Sequence, residues 1–113
     1  MGLENKYVNE IKKAGKKYGI QKIILFGSRA LGTQKKHSDV DIAILCKDRK
    51  TFLSYKTYLE YETSVPYTFD VIRLSDVSHK KLLKHIEDHG ILLMWYKKYG
   101  IIRLCFHGHL KEN

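Results

Sequence analysis

Cysteine is scarce in this chain of 113 residues: only Cys46 and Cys105 occur, with no C-x-x-C spacing. A disulfide scaffold and a structural zinc site are therefore set aside, and a reducing intracellular compartment fits. Proline occurs once, at Pro66. Long apolar runs are missing too. The longest, Ile91 to Tyr96, falls far short of the ~20 residues that a membrane span needs. The opening MGLENKYVNE has no apolar stretch of the signal-peptide kind, so a soluble cytoplasmic protein is expected. Acidic residues are in deficit, 12 against 21 Lys and Arg, leaving a formal net charge of +9. Such a surface attracts anions: nucleotides, nucleic acid, acidic membranes or an acidic protein. Many lysines come in pairs (Lys12 and Lys13, Lys16 and Lys17, Lys35 and Lys36, Lys80 and Lys81), for which a solvated helix face is the plainer reading.

What is present suits a single domain with one modest core, since a chain of this length buries roughly two-thirds of its unfolded surface. Little is left over for a deep, closed pocket. Tyr7, Ile11, Ala14 and Tyr18 recur at helical spacing and predict a helix from about Asn5 to Tyr18, closed near Gly19. The β-branched run Lys22 to Phe26 stops at Gly27 and predicts a buried strand. A single helical turn is expected at Ser28 to Leu31, then a strand from Ser38 to Leu45 in which Asp39, Asp41 and Ala43 face one way and Val40, Ile42 and Ile44 the other. Thr51 to Glu62 reads as a second long helix, and Tyr67 to Leu74 as a strand after Pro66. Ser75 or Ser78 is positioned to cap a third helix carrying Leu82, Leu83 and Ile86, with Gly90 as a left-handed closing residue. Ile91 to Tyr96 is the last predicted strand. The alternation predicts an α/β (α+β) domain, a small mixed sheet with helices packed on it, over residues 1–98. Residues 99–113 form a tail whose Ile101, Ile102, Leu104 and Phe106 fit an extra strand, a partner contact or disorder. His107 and His109 in that tail are a weak transition-metal pair.

The stretch from Phe26 to Asp41, FGSRALGTQKKHSDVD, carries the chemistry. Transfer of a nucleotidyl group requires a neutralised phosphate, a held pyrophosphate and an attacking oxygen placed in line. Asp39 and Asp41, two apart on a strand, project from one face ~7 Å apart at Cα. Paired carboxylates repel unless a cation sits between them, and magnesium prefers such oxygen ligands. Gly27 and Ser28 follow a strand directly and open a helical turn, where free N–H groups suit terminal phosphates. Arg29 beside them fits a phosphate contact or, through a carboxylate, support of the loop. Taken singly, a Gly-Ser turn is more often a helix cap, and a D-x-D more often a solvent-facing edge. Their succession has no simple structural need.

That succession, Gly27-Ser28-Arg29-Ala30-Leu31-Gly32 and then Ser38-Asp39-Val40-Asp41, resembles the signature of the DNA polymerase β-like nucleotidyltransferase superfamily. More narrowly, it is similar to the minimal nucleotidyltransferase (MNT) group found as antitoxins beside HEPN-domain toxins. Leu31 departs from many relatives, which have a basic residue there. The resemblance implies a third carboxylate on a neighbouring strand, for which Asp70 is the match, with Phe69 and Val71 on its opposite face. It further implies that Asp39 and Asp41 ligate two Mg²⁺ ions, that Asp70 ligates one and helps activate the attacking hydroxyl, and that Gly27, Ser28 and Arg29 contact the nucleotide. The implied activity is transfer of AMP from ATP to a tyrosine of a HEPN RNase toxin. An enzyme modifying a small hydroxylated molecule such as an aminoglycoside, and a non-catalytic cover for a toxin, are the alternatives. Docking of a protein partner is expected through the basic surface (Lys12, Lys13, Lys16, Lys17) and the tail; direct nucleic-acid binding is not favoured.

Overall fold

A computed structural model describes residues 1–96 and 111–112 of the chain. The apolar tail residues, Cys105 and the His107 and His109 pair lie outside the described residues.

Helix α1 (Asn5–Tyr18) buries Val8, Ile11, Ala14 and Gly15 along one side and closes at Gly19 in the left-handed conformation. Tyr7 and Tyr18, expected in its apolar stripe, pack half-buried at the margin of the core. Strand β1 (Lys22–Phe26) is buried along its whole length, as expected for a central strand covered on both faces. It leads without a break into the short helix α2 (Gly27–Leu31). Strand β2 (Val40–Leu45) begins two residues later than predicted. Asp39 thus lies just ahead of the ladder. Helix α3 (Arg49–Glu62) starts at an Asp48 cap whose carboxylate accepts the Thr51 N–H at 2.8 Å. Strand β3 (Phe69–Arg73), a 3-10 turn (Leu74–Asp76), helix α4 (Lys80–His89), strand β4 (Ile91–Trp95) and the two-residue strand β5 (Lys111–Glu112) complete the described elements.

Two expectations at α4 are corrected. Neither Ser75 nor Ser78 caps it: His79 does, its Nδ1 accepting the Leu82 N–H at 3.2 Å. Gly90 is not left-handed but extended in ψ, with φ −66° and ψ 149°. The physical reason is continuity, because the chain runs from the last helical turn directly into β4 and a left-handed residue would steer it away. The Gly90 N–H still closes the helix on the Ile86 carbonyl at 2.8 Å.

The strands form one mixed sheet in the order β3-β2-β1-β4-β5. Strand β1 is antiparallel to β2 and β4, whereas β2 and β3 are parallel, which needs the crossover that α3 supplies. Alternation then sorts the side chains. Ile23, Leu25, Val40, Ile42, Ile44, Phe69 and Val71 face α1 and α3 and form the main core with Ile11, Phe52, Tyr55 and Leu59. Tyr55 is fully buried, and its hydroxyl donates to the Ile11 carbonyl at 3.1 Å, tying α3 to α1. Ile24, Phe26 and Ala43 face the other way, against Leu74 and the α4 residue Ile86. Asp41 and Asp70 belong to this second face by the same alternation.

Candidate active site

Parallel pairing of β2 with β3 sets Asp41 directly opposite Asp70, between the pairs Val40–Phe69 and Ile42–Val71. Neighbouring strands lie about 4.8 Å apart, so two carboxylates on one face are forced together. Asp41 is half-buried, while Asp39 and Asp70 are exposed. Burial first, then the Asp70 and Asp39 charges and a hydrogen bond with Asp70, push the Asp41 carboxyl up to about 6. The Arg29 guanidinium offsets part of that rise. A carboxyl that burial and two acidic neighbours keep from ionising until about pH 6 is a prepared site for a cation.

The end of β1 supplies the third side of the site, since Phe26 pairs with Asp41 and is followed at once by Gly27. Gly27 has a φ of 71°, a conformation that a side chain strains, and a Cβ built on it would overlap the Asp41 carboxylate. Glycine here admits both the turn and the carboxylate beneath it. The residue ahead of α2, Phe26, brings no side-chain cap, so the helix opens with N–H groups that no capping side chain satisfies. Ser28 is half-buried at this opening, its carbonyl accepting the Thr33 N–H at 2.9 Å.

Arg29 is buried, 3% exposed. Its Nε and Nη2 donate to the Ser38 carbonyl at 3.1 and 2.8 Å, its Nη1 donates to the Gly2 carbonyl at 2.8 Å, and the guanidinium stacks on the Tyr67 ring at 3.8 Å. It therefore holds the residue ahead of Asp39 to the N-terminal segment, through carbonyls rather than a carboxylate. Sequence reasoning missed Gly2 and Tyr67 as its partners. Nothing in local spacing marks either, because both contacts are long-range.

The oxygen donors fit magnesium rather than a softer metal. Among the described residues no three His, Cys, Asp or Glu side chains are already gathered around one point. Magnesium typically takes only one or two protein carboxylates, with phosphate oxygens and water completing its shell, so the acids fit an ion that arrives with a nucleotide.

Asp39 and Asp70 are open to solvent. A cavity of about 460 Å³ lies behind Arg29, lined by Gly2, Glu4, Gln34, Lys35, Lys36 and Tyr67 among others, and none of the three acids borders it. Lys13, Lys16 and Lys17 are exposed on α1, which covers the sheet face opposite the acids. Lys17 lies over the Tyr58 ring at 4.5 Å. The basic stripe and the acids therefore do not share a surface. No described helix is long and apolar enough to cross a membrane.

Comparison with known proteins adds three kinds of finding. Residues 9–99 match the family described as polymerase beta, nucleotidyltransferase. Among solved structures, the chain is similar to a toxin–antitoxin crystallised with AMP-PNP, at 28% identity and a TM-score of 0.65 over 80% of this chain and 74% of that one. It is also similar to two mutants of the MntA-HpeT toxin–antitoxin. One replaces two aspartates by glutamate (26% identity, 80% and 74% coverage, TM-score 0.64). The other replaces a tyrosine by alanine (27% identity, 85% and 76% coverage, TM-score 0.63). No curated protein matches.

Proposed function

Because the chain belongs to the polymerase beta nucleotidyltransferase family, we propose that it transfers AMP from ATP to a tyrosine hydroxyl of a cognate HEPN RNase toxin and so acts as its antitoxin. The observation that carries this reading is the pairing of Asp41 with Asp70 beside a Gly27 turn that a Cβ would block. Support for the partner comes from the toxin–antitoxin structures that the chain resembles, one of which holds AMP-PNP. An open surface at the acids suits a macromolecular acceptor better than a small one, since small ligands bind in pockets that bury most of their surface.

In this reading Asp39 and Asp41 would hold two Mg²⁺ ions, and Asp70 would help to hold one of them. Bound magnesium supplies neutralisation of the α-phosphate and of the departing pyrophosphate. The opening N–H groups of α2 and the Ser28 hydroxyl hold the terminal phosphates. Asp70 takes the proton of the attacking hydroxyl as its oxygen bonds to the α-phosphorus. The bond from that phosphorus to the bridging oxygen breaks, and pyrophosphate leaves. Arg29 contributes by fixing the Ser38–Asp39 turn, so its part is positioning.

The test is intact mass spectrometry of the toxin after incubation with this protein and Mg-ATP. A gain of one or more AMP units on tyrosine is expected. Tight binding with an unchanged mass would show a cover rather than an enzyme.

A further inference from the structure

We infer that the outer edge of β3 receives an extended segment of the acceptor protein as an added strand, which delivers its hydroxyl alongside Asp70. The inference rests on the reading that the acceptor is a protein, and it concerns how that protein docks.

Site residues follow a fixed order across the sheet: Gly27 and Ser28 at the end of β1, Asp39 and Asp41 at β2, and Asp70 on β3. If the phosphates occupy the Gly27 side, the acceptor comes from the Asp70 side, and beyond Asp70 the sheet ends. The Val40 N–H donates to the Thr68 carbonyl at 2.8 Å, and the parallel register runs unbroken to Ile44–Arg73. In such a ladder alternate residues turn their peptide groups to the partner strand. Asp70 and Ile72 therefore point theirs at β2, while Phe69, Val71 and Arg73 point theirs outward. Among the described residues the outward N–H groups of Phe69, Val71 and Arg73 donate to no backbone or side-chain acceptor. Strand β5 lies at the opposite edge.

Sheet edges are commonly blunted by proline or a bulge. Neither occurs in β3, whereas β1 and β4 carry a register shift at Ile23 and Ile24. The Phe69 and Val71 side chains are buried in the main core, which keeps the strand fixed. A segment added there gains main-chain hydrogen bonds that do not depend on its sequence. Its alternate side chains stand on the face of Asp41 and Asp70, so a hydroxyl-bearing residue extends over the acids without any pocket. The alternative surface is the basic face of α1, on the other side of the sheet.

Residue-resolved amide hydrogen exchange on the complex with the toxin and a non-hydrolysable ATP analogue tests this. The Phe69, Val71 and Arg73 amides should gain protection of about tenfold or more, with Asp70 and Ile72, already bonded to β2, changing little. Unchanged exchange at all three outward amides, with new protection on α1, overturns the inference. A second test uses Val71→Pro, which removes one outward donor, against Val71→Ala, which also gives up the valine side chain but keeps the donor. Transfer to the toxin should be about tenfold weaker for proline than for alanine, with the affinity for the ATP analogue equal. Equal transfer by the two variants refutes edge docking. If wild-type protein shows the alternating protection but adds no AMP, docking stands and the transferase reading fails.

Discussion

The two faces of the sheet differ in what covers them. One is closed by α1 and α3, with Ile23, Leu25, Ile42 and Ile44 fully buried beneath Tyr55 and Leu59. The other is covered by α4 and the 3-10 turn around Ile24, Phe26 and Ala43, and at the start of β2 its side chains are acids instead. A single strand serves both faces. In β2, Val40, Ile42 and Ile44 anchor the closed side while Asp41 stands on the open side, crowded by Asp39 and Asp70. Stability and chemistry are thereby assigned to alternate residues of the same element, and a change on one face should leave the other nearly untouched.

Adjacent residues on the strand pair should separate the two faces by the largest effect. Ile42→Ala should cost about 3 kcal/mol, seen as a fall in melting temperature of about 10 °C or more. Asp70→Asn should lower transfer about a hundredfold or more without lowering the melting temperature, because removing the Asp70 charge relieves the crowding at Asp41. Loss of transfer in Ile42→Ala at a temperature where it remains folded would join the two faces and break the distinction.

A smaller effect is expected at Gly27, where the faces meet at the end of β1. Gly27→Ala places a methyl at a φ of 71° and against the Asp41 carboxylate. It should lose about 1–2 kcal/mol of stability and bind an ATP analogue more weakly in calorimetry with Mg²⁺. Unchanged affinity would separate the turn from the nucleotide site.

Much of this arrangement was legible in the sequence, for reasons that are local. The α1 and β1 boundaries follow from helical spacing ending at Gly19 and a β-branched run ending at Gly27. The shared face of Asp41 and Asp70 follows from strict alternation around each. What was not legible depends on long-range contacts. The engagement of Arg29 with Ser38 and Gly2 spans distant parts of the chain. Serine chemistry also suggested the wrong α4 cap, because His79 provides an acceptor through an imidazole nitrogen that composition rules rank low. Gly90 was misread because a glycine after a helix fits either a left-handed stop or a direct passage into a strand.

The most direct test of the separation is one substitution read two ways, Asp41→Asn followed by melting temperature against pH without magnesium and by transfer to the toxin. The Asp41 carboxyl is raised in the folded state from an ordinary 3.8 to about 6. As pH rises through that window the unfolded chain releases the proton while the folded one keeps it, so wild-type stability falls, and the loss is complete above about 6. This separation predicts that the asparagine variant melts with wild type near pH 4, melts a few degrees higher at pH 7.5, and transfers about a hundredfold less AMP or worse. A variant that melts lower than wild type at pH 7.5, or that still transfers normally, would contradict it.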